Sequence, residues 1–450
     1  MIQAKSSFLA VCGLIVGLLT AAAASAPARA IDIQSVTSPG GVTAWLVEDH
    51  TIPLVAMKFS FEGGAAGDPQ DKSGIAHFLS GMLDEGAGDL DSQAFQTRLD
   101  ELSIKLSFSA TRDEFQGSLQ TLTRTRDEAF DLLKLALTAP RFDAEPLQRV
   151  RSQILLGIRQ DNEDPSTIAT NAWMRTAFPQ HPYGRPTKGS EETVQAISAD
   201  DLKDLTKRLF ARDGLKIAVV GDIDAETLKR LLDETFGSLP AESGMPPVAE
   251  ATPVEGPLVE VIERDVPQAV IRWGLNGIKR SDPEFIPAYV MAFILGDDGF
   301  GSRLMEEVRE KRGLSYGVFM TLYPMDRAGL FYGGAATVNQ RAGETIGVLY
   351  RELRRMAAEG PTEEELAQAK TYLTGSFPLR FDSNSKIAGQ LLSIQRDDLG
   401  IDYVNRRNEL INAVTLDEVK RLAKRLIDAD ELVFTVVGKP EGVKSVQRPG

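Results

Sequence analysis

The chain has 450 residues, of which 50 are basic and 64 acidic, giving a formal net charge of −14. That acidic balance argues against nucleic acid and anionic membrane surfaces as partners, since both repel such a protein. Cys12 is the single cysteine, so neither a disulfide nor a Cys-type metal site nor a thiol nucleophile in the mature chain is available.

In chain order, residues 1–30 read as a cleaved secretory signal. Lys5 supplies the positive start, Phe8 to Leu19 a short apolar run, and Ala28-Arg29-Ala30 a small-residue cleavage site. The apolar run is shorter than the roughly 20 residues that a spanning helix needs. The mature chain then begins near Ile31; losing two basic residues with the leader takes its net charge from −14 to −16. An exported, cysteine-free chain fits a bacterial periplasm, where a large domain relies on its core instead of crosslinks.

Val42–Val47 and Leu54–Phe61 are predicted strands around a turn at His50–Pro53. A helix is predicted over 71–85 and another over Ser92–Leu102, followed by strands Lys105–Ala110 and Glu114–Leu119. Helices Arg124–Leu137 and Glu145–Arg159 come next. Leu239–Pro257 is rich in Pro, Ala and Glu without apolar periodicity, and reads as an extended linker with some reach. Beyond it come strands Leu258–Ile262 and Ala269–Leu275, then helices Pro283–Leu295, Arg303–Lys311, Ala342–Glu359, Glu363–Thr374 and Ser385–Leu399.

The halves on either side of the linker are related. Ile197–Gly221 and Val414–Gly438 align without a gap. Each opens with a capping-box pattern, Ser198-x-x-Asp201 or Thr415-x-x-Glu418. Each continues through a helix with apolar residues three and four apart and ends in a β-branched strand closed by glycine. The expected fold is therefore α+β: two homologous domains, 31–238 and 258–450, each a mainly antiparallel sheet with helices packed on one face.

One helix carries a gapped version of a metal-binding pattern. In His-x-x-Glu-His, two imidazoles share a helix face with a general-base carboxylate beside them. Here His77 remains, but Ser80 stands at the Glu position and Gly81 at the second His. His50 sits in a predicted turn and His181 in a Pro-flanked loop. Glu85 and Glu163 do not have the spacing to replace the missing groups.

Gly74-Ile-Ala-His77-Phe-Leu, Phe178-Pro-Gln-His-Pro-Tyr-Gly-Arg-Pro186, Gly189–Glu192 and Arg309-Glu-Lys-Arg-Gly-Leu-Ser-Tyr316 together resemble the pitrilysin/insulinase-type inverted zincins. In scale the chain resembles the two-domain forms similar to mitochondrial processing peptidase and its bacterial relatives. It implies that a third zinc ligand would fall in Gln153–Arg159, where Leu156 and Gly157 stand instead of carboxylates. By this resemblance the chain binds no metal itself, and zinc is expected on a homologous partner subunit in a heterodimer that acts on peptides. The resemblance also implies that Arg309 and Tyr316 reach a composite site in trans. From the residues alone, Ser302 is expected to cap a helix running to Arg312 and Gly313 to end it, with Tyr316 on the strand that follows. Gly296, Gly299 and Gly301 form a candidate substrate loop before that helix, with an ordinary flexible loop as the plainer reading. A scaffold or peptide-binding role without catalysis is the alternative.

Overall fold

The structure, a computed structural model, describes residues 31–296 and 301–446. The expected leader and Gly299 lie outside the described residues. The first half contains strands β1 (Gln34–Thr37), β2 (Thr43–Glu48), β3 (Leu54–Glu62), β4 (Lys105–Ala110), β5 (Glu114–Leu122) and β6 (Lys216–Gly221). Its helices are α1 (Ile75–Ser80), α2 (Ser92–Glu101), α3 (Arg126–Thr138), α4 (Ala144–Glu163), α5 (Pro165–Ala177), α6 (Glu191–Ala196), α7 (Ala199–Leu209) and α8 (Ala225–Phe236). The second half contains β7 (Leu258–Glu263), β8 (Gln268–Asn276), β9 (Val318–Pro324), β10 (Gly329–Val338) and β11 (Val433–Gly438). Its helices are α9 (Phe285–Leu295), α10 (Ala342–Glu359), α11 (Glu363–Gly375), α12 (Asn384–Arg396), α13 (Tyr403–Ala413) and α14 (Leu416–Leu426).

The duplicated segment determines both sheets. Both capping boxes form: the Ser198 and Thr415 hydroxyls accept from the amides of Asp201 and Glu418, whose carboxylates accept in return from the cap amides. Each capped helix leads into a strand buried along almost its whole length. That strand does not add at an edge. It inserts parallel to β2 and antiparallel to β3 in the order β1-β2-β6-β3-β5-β4, and parallel to β7 and antiparallel to β8 in the order β7-β11-β8-β10-β9. All other pairings are antiparallel. The strand period of two then sends Ile217 and Val219 into one core and Phe434 and Val436 into the other.

One face of each sheet packs on its own helices, and the opposite face receives one helix from the other half. Helix α5 lies on β11 and β8, whereas α12 lies on β6 and β3. Trp173 of α5 is fully buried and donates its indole N–H to the Val433 carbonyl at 2.9 Å. A Cβ at Gly274 would stand 2.4 Å from the Trp173 ring, so only glycine lets the indole lie on the sheet. In the reciprocal contact, the Gln395 amide of α12 donates to the Ile217 carbonyl at 2.8 Å. A separate apolar cluster that includes Trp173, Tyr183, Leu258, Leu330 and Val433 fills the junction. Polar contacts also cross it. The Tyr183 hydroxyl donates to Asp113 at 2.6 Å and accepts from the Arg327 amide at 3.0 Å, and Arg396 pairs with Glu114 at 2.8 Å. From Ile33 onward the chain forms one compact unit.

Several expectations change. The predicted helix over 71–85 shrinks to the six residues of α1. Gly74, at φ 95°, sets its start, and the buried Asp68 carboxylate accepts from the amides of Gly74 and Ala76 at 2.8 and 3.3 Å. After Gly81 the chain continues as turns. The 239–257 segment has no regular structure, as expected, but it is not loose. Its main chain bonds to Arg208, Arg212 and Ala177 of the first half and to Arg327 and Glu431 of the second. Among the described residues no helix is long and apolar enough to cross a membrane.

Candidate functional site

In the first half the zincin-like position keeps one imidazole and no carboxylate. His77 lies in the last turn of α1 with its ring half-buried. Burial, followed by the Lys188 ammonium, holds its imidazole below the ordinary histidine range, while Asp161 pulls the other way. Lys188 and Asp161 themselves pair at 2.7 Å. The Ser80 hydroxyl donates to the His77 main-chain carbonyl at 2.8 Å, satisfying a backbone acceptor rather than facing a ligand. A Cβ at Gly81 would come within 3.2 Å of a Val150 methyl on the hydrophobic face of α4, a tight contact. Farther along α4 a Cβ at Gly157 would meet nothing within 4 Å, and Leu156 is 56% exposed.

The remaining candidates do not assemble around His77. His50 Nδ1 meets Asp222 at 2.6 Å, and His181 contacts the Tyr183 amide and the Ala249 carbonyl. Glu85 is held by Arg149 and Ser92. Among the described residues no three His, Cys, Asp or Glu side chains gather in a way that could hold a metal ion. One imidazole, a committed hydroxyl and two glycines do not fit zinc, which takes at least three protein ligands.

Asp68 is a feature that sequence reasoning missed. Burial pushes its carboxyl up to about 7, although the Gly74 and Ala76 amides and Arg185 favour the charged form. No spacing rule marks it, because its partners lie in a loop whose shape Gly74 sets.

In the second half the Arg309 and Tyr316 side chains do come together. The Arg309 guanidinium lies 4.8 Å from the centre of the Tyr316 ring, within cation–π range. Arg309 Nε is also 3.3 Å from Glu310. The supporting elements differ from the expected ones. Met305–Glu310 is a π-helix, and the Ser302 hydroxyl is buried without a hydrogen-bond partner among the described residues instead of capping it. Gly313, at φ 56°, ends the turn as expected, its amide bonding to the Arg309 carbonyl at 2.8 Å. Tyr316 lies in a bend ahead of β9, not on a strand, because the Ser315 hydroxyl donates to the Gly317 carbonyl at 2.6 Å and holds a tight local turn. Tyr316 is 87% exposed. Of the glycine-rich stretch, Gly296 is pinned to the sheet by the Met320 amide at 3.1 Å, whereas Gly301 has open space beside it.

Comparison with known proteins agrees with this architecture. The insulinase (peptidase family M16) model matches residues 44–191, and the peptidase M16 inactive domain model matches 196–373. A Helicobacter pylori protein named non-peptidase homolog YmxG is 26% identical over 392 residues, spanning 87% of this chain and 90% of that protein. The beta subunit of mitochondrial-processing peptidase from Lentinula edodes is 22% identical, with 86% of each chain covered. A crystal structure of a peptidase M16 inactive domain from Pseudomonas fluorescens superposes with a TM-score of 0.84 at 27% identity, covering 93% of this chain and all of that one.

Proposed function

Because the chain belongs to the insulinase (M16) family of peptidases, we propose that it is the non-zinc subunit of a heterodimeric metallopeptidase of the periplasm. A homologous partner would hold the zinc, and this chain would lend Arg309 and Tyr316 to the shared site. The observation that carries this reading is the asymmetry between halves. Of the metal-binding positions only His77 keeps a ligand-type side chain, while an arginine and a tyrosine seven residues apart remain in contact with the phenol 87% exposed. An exposed aromatic ring held by a guanidinium is available to a second molecule. A guanidinium can fork onto a peptide carbonyl, and a phenol can donate to the oxygen on which negative charge develops.

The test mixes the purified chain with a homologue carrying His-x-x-Glu-His. This chain alone should cleave no peptide and the mixture should. Arg309→Ala or Tyr316→Phe should remove most of that activity while the complex still assembles. Full activity in both variants would end the composite-site reading.

A second reading, a scaffold or peptide-binding homologue without catalysis, draws support from the similarity to the Helicobacter protein named a non-peptidase homolog. A stable homodimer that copurifies with no zinc-binding homologue would favour it.

A further inference from the structure

The inner face of the second sheet holds a cleft of about 480 Å³, walled by α5 of the first half and by the π-helix before Tyr316. Its floor is one cross-strand row, Arg272 of β8, Gly334 of β10 and Phe319 of β9, with Val270 and Ala336 in the next row. Gly334 is what allows this geometry. A Cβ there would stand 2.7 Å from Arg272 Nη1 and 2.7 Å from the Phe319 ring, so the guanidinium and the aromatic edge both lie over the glycine.

Arg272 is half-buried, and its hydrogen bonds go to neutral groups. Nε donates to Thr170 at 3.1 Å, Nη2 to the Ser166 hydroxyl and Nη1 to its own neighbour's carbonyl at 3.2 Å. Among the described residues no carboxylate lies within ion-pair distance of it. Asp164 feels its charge, but that carboxylate caps α5 by accepting from the amide and hydroxyl of Thr167, both at 2.7 Å. A half-buried cation that makes no direct ion pair, beside partly exposed apolar side chains, can still receive a carboxylate. Gly317 of the cleft directly follows Tyr316.

We infer that this cleft is a subsite for a peptide carboxylate, in which Arg272 receives the carboxylate and Phe319, Val270 and Ala336 receive the adjoining methylenes. The inference rests on the reading that the chain meets peptides, but it does not require that they be cut. The same chemistry is offered by an acidic side chain and by a free chain terminus.

The test uses fluorescence anisotropy of the full chain, without partner, against three labelled peptides. One has a central Glu and an amidated end, the second has Gln at that place and an amidated end, and the third has Gln and a free terminal carboxylate. The charged peptides should bind at least about tenfold more tightly than the neutral one, the scale of a charge-assisted hydrogen bond. The preference should fade as salt rises. Preference for the first peptide identifies the side chain as the source, and preference for the third identifies the terminus. Arg272→Met should abolish the preference. Ala336→Leu, which fills the cleft without touching the hydrogen bonds of Arg272, should do so as well. Equal affinity for all three peptides, or a preference that survives Ala336→Leu, would overturn the inference. Cleavage of the neutral peptide by the mixed pair is scored separately. Its absence beside an intact preference counts against the composite site alone, and equal affinities beside intact cleavage count against the subsite alone.

Discussion

The two halves share a strand plan, yet their exposed chemistry has diverged. In the first half, a Val150 methyl crowds Gly81 at the end of the short helix bearing His77, and Ser80 turns back to its own backbone. In the second half, the π-helix and the bend after it present Arg309 and Tyr316 at the surface. A duplicated scaffold can therefore keep its fold in both copies while their exposed side chains diverge. The lent helices differ in the same way. Helix α5 contributes a buried indole, whereas α12 contributes an amide.

The largest expected effect breaks the junction between halves. Trp173→Ala removes a fully buried indole and its bond to Val433, and should lower stability by about 3–5 kcal/mol in chemical denaturation. The next tests whether the second half does the chemistry. Tyr316→Phe or Arg309→Ala should cost the mixed pair roughly a hundredfold to a thousandfold in kcat, on the scale of one lost oxyanion donor, and should leave thermal stability near wild type. Gln395→Leu leaves the buried Ile217 carbonyl without its donor and should cost about 1–3 kcal/mol. A loss as large as that of Trp173→Ala would show that the two lent helices are energetically equivalent.

The smallest effect concerns His77. Because burial lowers its folded-state pKa, the unfolded chain takes up the proton more readily. Stability should be fully present above the ordinary histidine pKa of about 6.5 and be lost as pH falls toward the lowered folded value. His77→Gln should flatten that acid limb in pH-dependent melting and leave stability near pH 8 almost unchanged. A loss of peptide cleavage by the pair at pH 8 would contradict the packing role of this residue.

The local parts of this architecture were legible in the sequence. Ser198–Asp201 and Thr415–Glu418 announced two capped helices, and the glycine-closed β-branched runs announced the strands after them, because those signals depend only on near neighbours. Insertion of β6 between β2 and β3 was not legible, since it depends on pairing with strands more than 150 residues earlier. The exchange of α5 and α12 was hidden for the same reason. The 71–85 segment reads as one helix, but a left-handed Gly74 and the cap from Asp68 delay its start to Ile75, and past Gly81 the chain continues as turns. Arg309 and Tyr316 were singled out by the family resemblance, whose arginine and tyrosine stand seven residues apart, while the π-helix under them has no simple sequence mark. Arg272 did leave a signal: it is the one charged residue in the strand run Ala269–Leu275.

The reciprocal loan of α5 and α12 bears on how the molecule can be taken apart. A protease cut within 239–257 would sever the covalent thread, yet each fragment would still hold a helix embedded in the other. The nicked protein should therefore behave as a noncovalent pair that copurifies. Either fragment expressed by itself would leave the sheet face under the lent helix open to water and should be less soluble than the pair.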